Sequence, residues 1–296
     1  MSGPRIVVVA KRTAYRRHVE EEHDPRAREL LKRRDPTVAT WIAAHREHER
    51  TLEEVERVLD ELGAKTLVIE RAHAAFDTSD AALVIAVGGD GTLLAASHNV
   101  GSVPILGVNS APAHSVGFFC AVTRKTFRVH LQRALDGRLT SVSLMRMRVT
   151  LNGRLRSKRV LNEALYCHSS PAATSRYILR LGRLREEQRS SGFWIGPPAG
   201  STAAQHSAGG RVLSLASSKL QLIVREPYAP SGTKYRLLRA LVEPGQEAVV
   251  QSKMDDASLY LDGPHRSLTV RLGDTVAFAA SDEPLTVLGL RRRQSR

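Results

Sequence analysis

Cysteine is scarce in this chain: 296 residues carry two, Cys120 and Cys167. Two thiols make no disulfide framework. Each reads as a reduced, buried side chain in a cytoplasmic protein, not as a ligand or a disulfide partner. Aromatic residues are few, at 5%, and no motif of DNA or RNA recognition accompanies them, which argues against a nucleic-acid partner. No apolar run approaches the roughly 20 residues of a membrane span, and no amphipathic membrane face is evident. A secretory signal is missing, because the apolar run 6–9 is too short for an h-region and Lys11-Arg12 follow it. A Ser- and Arg-rich leader is missing too, so a mitochondrial address is not expected. Acid is short relative to base: 30 Asp and Glu against 44 Lys and Arg leave a formal charge of +14. That imbalance favours anionic partners such as nucleotides or polyphosphate.

What is present centres on one stretch. Leu83-Val84-Ile85-Ala86-Val87 reads as a buried strand. Gly88-Gly89-Asp90-Gly91-Thr92 follows, and residues 93–97 read as the first turns of a helix. Gly88, Gly89 and Gly91 let the backbone approach a ligand closely. A strand, a glycine turn and a helix N-terminus together cradle phosphate, since free N–H groups point outward and the dipole favours negative charge. Asp90 stands inside that cradle. It is either a helix cap in a tight turn or a functional carboxylate. Its repulsion of phosphate favours the second: a group that takes a proton from a hydroxyl or holds a metal beside phosphate. The pattern is neither a Walker loop nor the GxGxxG fingerprint.

The N-terminal half alternates strand and helix. Residues 6–9 open a parallel sheet whose ligands gather at the carboxyl ends of its strands. Lys11 and Arg12 fall at that edge, either for phosphate or as plain surface charge. Residues 16–50 read as an exposed helical excursion broken at Asp24-Pro25 and Asp35-Pro36. His45 and His48 share a helix face at a spacing metal ligands use, but no carboxylate-rich second cluster completes a site. Leu52, Val55, Val58, Leu59 and Leu62 form one apolar stripe, with Gly63 placed to end the helix. Residues 66–69 and 104–108 read as further strands, and Asn109-Ser110-Ala111-Pro112 turns away from the second. Thr123 is placed to cap a helix ending at Gly137. The order argues an α/β layer with a parallel sheet.

From Thr140 the texture becomes short runs of period 2, with Asn152-Gly153 as a hairpin signal and Asp262-Gly263-Pro264 as another turn. This half reads as an all-β sandwich. The expected division is an α/β nucleotide-binding domain over 1–138, completed by about 281–296, and a β-rich domain over 139–280. The apolar segment 284–290 is expected to return to the first domain, and Arg291-Arg292-Arg293 reads as a solvated tail. Two further stretches carry possible chemistry. Asn162-Glu163 sets an amide beside a carboxylate, suited to a base edge and sugar hydroxyls or simply to a capped turn. Gly200-Ser201-Thr202, opened by Pro197-Pro198, offers hydroxyls and amides to a ligand or starts a helix.

In order and spacing, Gly88 to Thr92, Asn162-Glu163, Gly200 to Ala203 and Asp262-Gly263 resemble the NAD kinase family over nearly the whole chain. Residues 9–13, 91–97, Gly107-Val108-Asn109, Ser190-Ser191-Gly192 and Arg225-Glu226-Pro227 look like its mitochondrial-type branch. The resemblance implies transfer of the γ-phosphoryl of ATP, or of polyphosphate, to the 2′-hydroxyl of the adenosine ribose of NAD. It implies Asp90 as general base or hydroxyl-orienting group. It places Gly88, Gly89, Gly91 and Thr92 on nucleotide phosphates. Asn162 and Glu163 would hold the adenosine half of NAD, with Asn109, Gly200, Ser201, Thr202, Lys11 and Arg12 contributing to substrate binding. Mg²⁺ would bridge the phosphates, and the assembly would be a homodimer or homotetramer. The chain departs from the family's Thr-Pro-Thr-Gly-Ser-Thr-Ala-Tyr loop. Pro197 and Ala199 replace its threonines, and Ala204 replaces its aromatic. A carboxylate common ahead of that loop is also missing at Ser190-Ser191-Gly192. Two alternatives share features with this reading: a lipid or sphingoid-base kinase with the same glycine loop, and a non-catalytic nucleotide-binding protein.

Overall fold

In a computed structural model, residues 3–230, 232 and 234–290 are described. The Arg291-Arg292-Arg293 tail lies outside them. The described chain forms two compact units, 3–142 with 286–290, and 143–285.

The first unit is α/β. Its sheet is built on β1 (Arg5–Ala10), which pairs in parallel with β2 (Lys65–Ile69) and β3 (Leu83–Gly88). Next come β4 (Ile105–Asn109), parallel to β3, and the short β5 (Val122–Thr123), parallel to β4. The order is completed by β6 (Ser141–Leu144) at one edge and, between β4 and β6, by the returning segment Leu285–Leu288. β1, β3 and β4 are buried along almost their whole length, as continuous apolar strands of a covered parallel sheet must be. β2 is the opposite edge, and its Leu67 and Val68 stay exposed. β6 alternates exposed and buried residues, the period-2 texture expected of the second half, yet it lies in the first sheet. Periodicity identifies a strand but not its partner.

The helices are α1 (Pro25–Lys32), α2 (Trp41–Glu61), α3 (Asp90–Ser97) and α4 (Phe127–Leu135). Asp24 caps α1 by accepting from the Arg26 amide, with Pro25 at the first helical position. α2 runs unbroken through the point where the exposed excursion was expected to end, because no Pro or Gly interrupts residues 38–62. It buries Leu52, Val55, Val58 and Leu59 on the sheet, and Gly63 follows its end at φ 63°. Thr123 and Thr126 form a capping box ahead of α4.

The second unit holds two six-stranded sheets whose pairs are antiparallel. One contains β7 (Met147–Leu151), β8 (Arg154–Val160), β10 (Ser175–Leu181), β11 (Leu184–Ser190), β15 (Ala248–Ser252) and β18 (Thr275–Ala280). The other contains β9 (Ala164–His168), β12 (Phe193–Gly196), β13 (Leu220–Val224), β14 (Arg239–Val242), β16 (Ala257–Leu261) and β17 (Ser267–Val270). β7 and β8 join through Asn152-Gly153, both at positive φ, as a two-residue hairpin requires. Inward residues of both sheets share one core. At its centre Phe193 stacks on Tyr166 at 5.4 Å and meets Phe278 edge-on at 6.0 Å. Both cysteines are free thiols, Cys120 buried as expected and Cys167 only half-buried.

Candidate active site

In the first unit the site forms at the carboxyl ends of the parallel strands. β3 ends at Gly88, Gly89 caps α3, and Asp90 is the first residue of that helix. A Cβ at Gly88 would lie 2.2 Å from the Thr92 hydroxyl and 3.0 Å from Lys11, so the turn closes only around glycine. Gly91 differs: a Cβ there meets nothing within 4 Å, and its φ is not positive. Nothing inside the chain demands glycine at this exposed position. It stands at the start of α3, where the first amides lack intrahelical acceptors and are open to an anion. Gly91→Ala is therefore expected to leave stability within about 0.5 kcal/mol. It should lower kcat/KM for the phosphate-bearing substrate at least about tenfold. Thermal melts beside steady-state kinetics check both parts.

Asp90 does not cap its helix. One carboxylate oxygen accepts the Phe118 amide at 2.8 Å and the other the Phe119 amide at 2.7 Å. The segment that supplies those amides is anchored by Asn109, whose Nδ2 donates to the Ser115 carbonyl at 3.1 Å and whose Oδ1 accepts the Ala111 amide at 3.3 Å. Gly117, at φ 62°, allows that closure, since a Cβ there would lie 2.4 Å from Asn109 Nδ2. Asn109 thus shapes the loop that fixes Asp90. Lys11 extends from the end of β1 as an exposed cation, whereas Arg12 pairs with Glu21 and, at 3.8 Å, Glu22. His45 bonds Thr13 at 2.9 Å. His48 bonds Ser110 at 2.9 Å and is held neutral by burial and the nearby Lys11 charge, which push its imidazole down to about 4. Neither histidine joins a metal cluster, and no cluster of three or more His, Cys, Asp or Glu able to hold a metal occurs among the described residues.

In the second unit Asn162-Glu163 links β8 to β9 and is clamped through its backbone. The Asp262 carboxylate accepts the amides of Leu161, Asn162 and Glu163 at 2.8, 2.7 and 3.1 Å. The Asp262 amide donates to the Glu163 carbonyl at 2.9 Å. Gln205 donates to the Asn162 carbonyl at 3.0 Å. Gly196 and Gly200 press on that carbonyl so closely that a Cβ would lie 2.2 and 1.8 Å from its oxygen. The clamp leaves the side chains unspent: Asn162 Oδ1 and Glu163 Oε2 are buried without a hydrogen-bond partner. Such atoms suit a polar ligand. Ser201 is fully buried; its hydroxyl donates to the Pro198 carbonyl at 2.7 Å and accepts the Leu213 amide at 2.9 Å. Gly200-Ser201-Thr202 makes a tight helical turn, Pro198–Thr202, followed by α5 (Ala204–Ser207). Ser190 bonds Tyr177 at 2.8 Å inside the core. Sequence reasoning did not single out Gln205, Gly196 or the Phe118 and Phe119 amides, and it read Asp262-Gly263 only as a turn and a family mark. Those residues act by distance in space, which spacing along the chain does not report.

Burial, with the Asp262 carboxylate nearby, pushes the Glu163 carboxyl up from 4.5 to about 7. The native state then holds a proton that the unfolded chain has released. The associated stability is full below the unfolded value and is lost as pH rises through the folded one. Across about pH 5 to 8, wild-type melting temperature is expected to fall relative to Glu163→Gln, which has no such proton to lose. Parallel profiles for the two proteins would discount the shift.

A glycine cradle on a parallel sheet, with an anchored carboxylate, and an antiparallel domain bearing a clamped amide–acid pair define a phosphotransferase of the glycine-loop kinase class. Residues 6–139 match the family model of the ATP-NAD kinase N-terminal domain. The chain is 36% identical over 262 residues to a probable NADH kinase of Oryza sativa subsp. japonica, covering 81% of this chain and 80% of that protein. It is 34% identical over 280 residues to an NADH kinase of Arabidopsis thaliana, covering 85% and 86%. Its fold matches an NAD kinase from Archaeoglobus fulgidus, solved in complex with ATP, at a TM-score of 0.68 and 20% identity, covering 98% and 94% of the two chains. The chain belongs to the NAD kinase family. It is an enzyme that phosphorylates NAD, and none of these comparisons points to a lipid kinase or a non-catalytic binder. No helix among the described residues is long and apolar enough to cross a membrane.

Proposed function

We propose that the enzyme transfers the γ-phosphoryl of ATP to the 2′-hydroxyl of the adenosine ribose of both NAD⁺ and NADH. Asp90 accepts or orients the hydroxyl proton. The observation that carries this reading is the Asp90 carboxylate, fixed through both oxygens and followed by a glycine at which an added Cβ would meet nothing within 4 Å. In the reaction the 2′-oxygen forms a bond to the γ-phosphorus, the bond to the β–γ bridging oxygen breaks, ADP leaves, and the hydroxyl proton passes to Asp90. The amides at the start of α3, with Lys11, hold phosphate oxygens. Asn162 Oδ1 and Glu163 Oε2 take the hydrogen bonds of the acceptor nucleoside. Glu163 in its protonated form also donates one. The names of the two plant relatives support NADH as an acceptor.

Mg²⁺ fits this reading as a companion of the triphosphate. The described residues form no all-protein cage, and Mg²⁺ characteristically binds phosphate oxygens and water with one or two carboxylates. When bound it offsets charge developing on the transferred group. Asp90 is the carboxylate of the loop able to face it.

The test incubates purified protein and Mg²⁺ with ATP or polyphosphate as donor and NAD⁺ or NADH as acceptor. NADP(H) is read through an NADP-specific dehydrogenase. Product from ATP with both acceptors is expected. Product from polyphosphate alone would reverse the donor assignment, and no product from any pairing would sink the proposal.

A further inference from the structure

The first unit also holds a cleft lined by basic residues, none of which belongs to the glycine loop. Ala43, Arg46, Glu47, Arg50 and Thr51 line one side of a cleft of about 670 Å³. Their spacing of three, one, three and one puts them on a single face of α2. Pro112 and His114, from the loop after β4, and Arg124 and Lys125, ahead of α4, line the rest. Arg46, Arg50, Arg124 and Lys125 are exposed, and none has a carboxylate within ion-pair distance among the described residues. On the same helix Arg57 pairs with Glu54 at 2.6 Å, and Arg16 pairs with Glu70 at 2.9 Å. Four cations against one carboxylate, Glu47, give the Lys, Arg and Glu side chains lining the cleft a net charge of three. Its volume exceeds the need of a single phosphate and suits a run of several.

We propose that this cleft binds a ligand bearing three or more linked phosphates, at a site separate from the phosphate cradle of Gly88 to Thr92. Two cations come from one helix and two from another segment, so an extended polyanion can bridge them as a monoanion cannot. Arginines at two of the four positions favour phosphate recognition through forked donors. The loop that carries His114 continues to Phe118 and Phe119, whose amides hold Asp90. The cleft therefore shares a structural segment with the carboxylate of the reaction.

The experiment titrates the full chain with inorganic tripolyphosphate by calorimetry, in the presence of a saturating non-hydrolysable ATP analogue that fills the cradle. Tripolyphosphate binding beside the analogue, weakened by added salt, is expected in wild type. In Arg46→Ser/Arg50→Ser it should weaken at least about tenfold, with melting temperature and NADP(H) formation unchanged. Two analogue molecules per wild-type chain, the second lost in the variant, would equally support the site and give it to a nucleoside triphosphate. Three outcomes would overturn the proposal: tripolyphosphate fully displaced by one bound analogue, unchanged affinity in the folded variant, or duplex DNA bound more tightly than tripolyphosphate through the same arginines. The first assigns the anion to the glycine cradle, and the last makes the face a nucleic-acid surface. None of these results bears on whether Asp90 serves the kinase reaction.

Discussion

Asp90→Asn is expected to lower kcat for NADP(H) formation by at least about 10²-fold, the size of a lost general base. The geometry predicts a second, separable effect. Both Asp90 oxygens accept backbone amides, from Phe118 and Phe119. Asparagine offers one acceptor oxygen, and its NH₂ group would set a donor against the other amide. The mismatch costs about 1–3 kcal/mol and loosens the loop. The kinetic split separates the roles. Loss of a proton acceptor lowers kcat with little change in KM, whereas a displaced loop raises KM for either substrate. A folded variant whose kcat stays within about tenfold of wild type would leave Asp90 a loop anchor and nothing more.

The core of the first unit is legible because it depends on local pattern. An apolar run followed by three glycines in four residues can hardly be anything but strand, turn and helix, and β3 and α3 follow that order. Gly63, Thr123 and Asn152-Gly153 are legible for the same reason, since capping and hairpin chemistry act over a few residues. The apolar segment 284–290 is expected to return to the first domain, and Leu285–Leu288 does lie in the first sheet. β6 shows the limit: its alternating burial marks a strand, while its place beside the returning segment follows from packing that no window of sequence contains.

The candidate site divides in the same way. Asp90, Asn162 and Glu163 are visible as polar residues at strand ends, each with a capping role as the alternative. What holds them is not visible. Asp90 is fixed by amides 28 and 29 residues downstream, and Asn162-Glu163 by a carboxylate about 100 residues away. Backbone amides carry no residue identity, so the Phe118 and Phe119 contacts leave no mark in composition. Asp262 leaves one, an Asp-Gly turn, but that signal names only the turn. Arg12 reads in sequence either as a phosphate ligand or as surface charge, and its carboxylate partners, Glu21 and Glu22, become neighbours only once the helical excursion folds back.

Gly200→Ala should be strongly destabilising for the second unit. The added carbon would sit 1.8 Å from the Asn162 carbonyl oxygen, 2.4 Å from its carbon and 2.7 Å from its Cα. All three are backbone atoms in a buried turn, so no side chain can swing aside. The Asn162 peptide must move, and its bonds are already spent. Its carbonyl takes the Gln205 amide at 3.0 Å, and its own amide is held by Asp262 at 2.7 Å. Overpacking typically costs about 1–3 kcal/mol, and breaking two buried hydrogen bonds adds about 1 kcal/mol each. A loss of about 3 kcal/mol or more in denaturant unfolding is therefore expected. Acceptor binding should weaken with it, because the displaced peptide carries the unpartnered Asn162 and Glu163 side chains out of register. KM for NAD(H) should rise more than KM for ATP if Asn162 and Glu163 serve the acceptor alone. Gly91→Ala is the internal contrast, with activity lost and stability kept. If both variants unfold alike, the close packing at Gly200 is not what holds the Asn162 peptide. If both stay as stable as wild type, the turn accommodates a methyl that its backbone geometry does not.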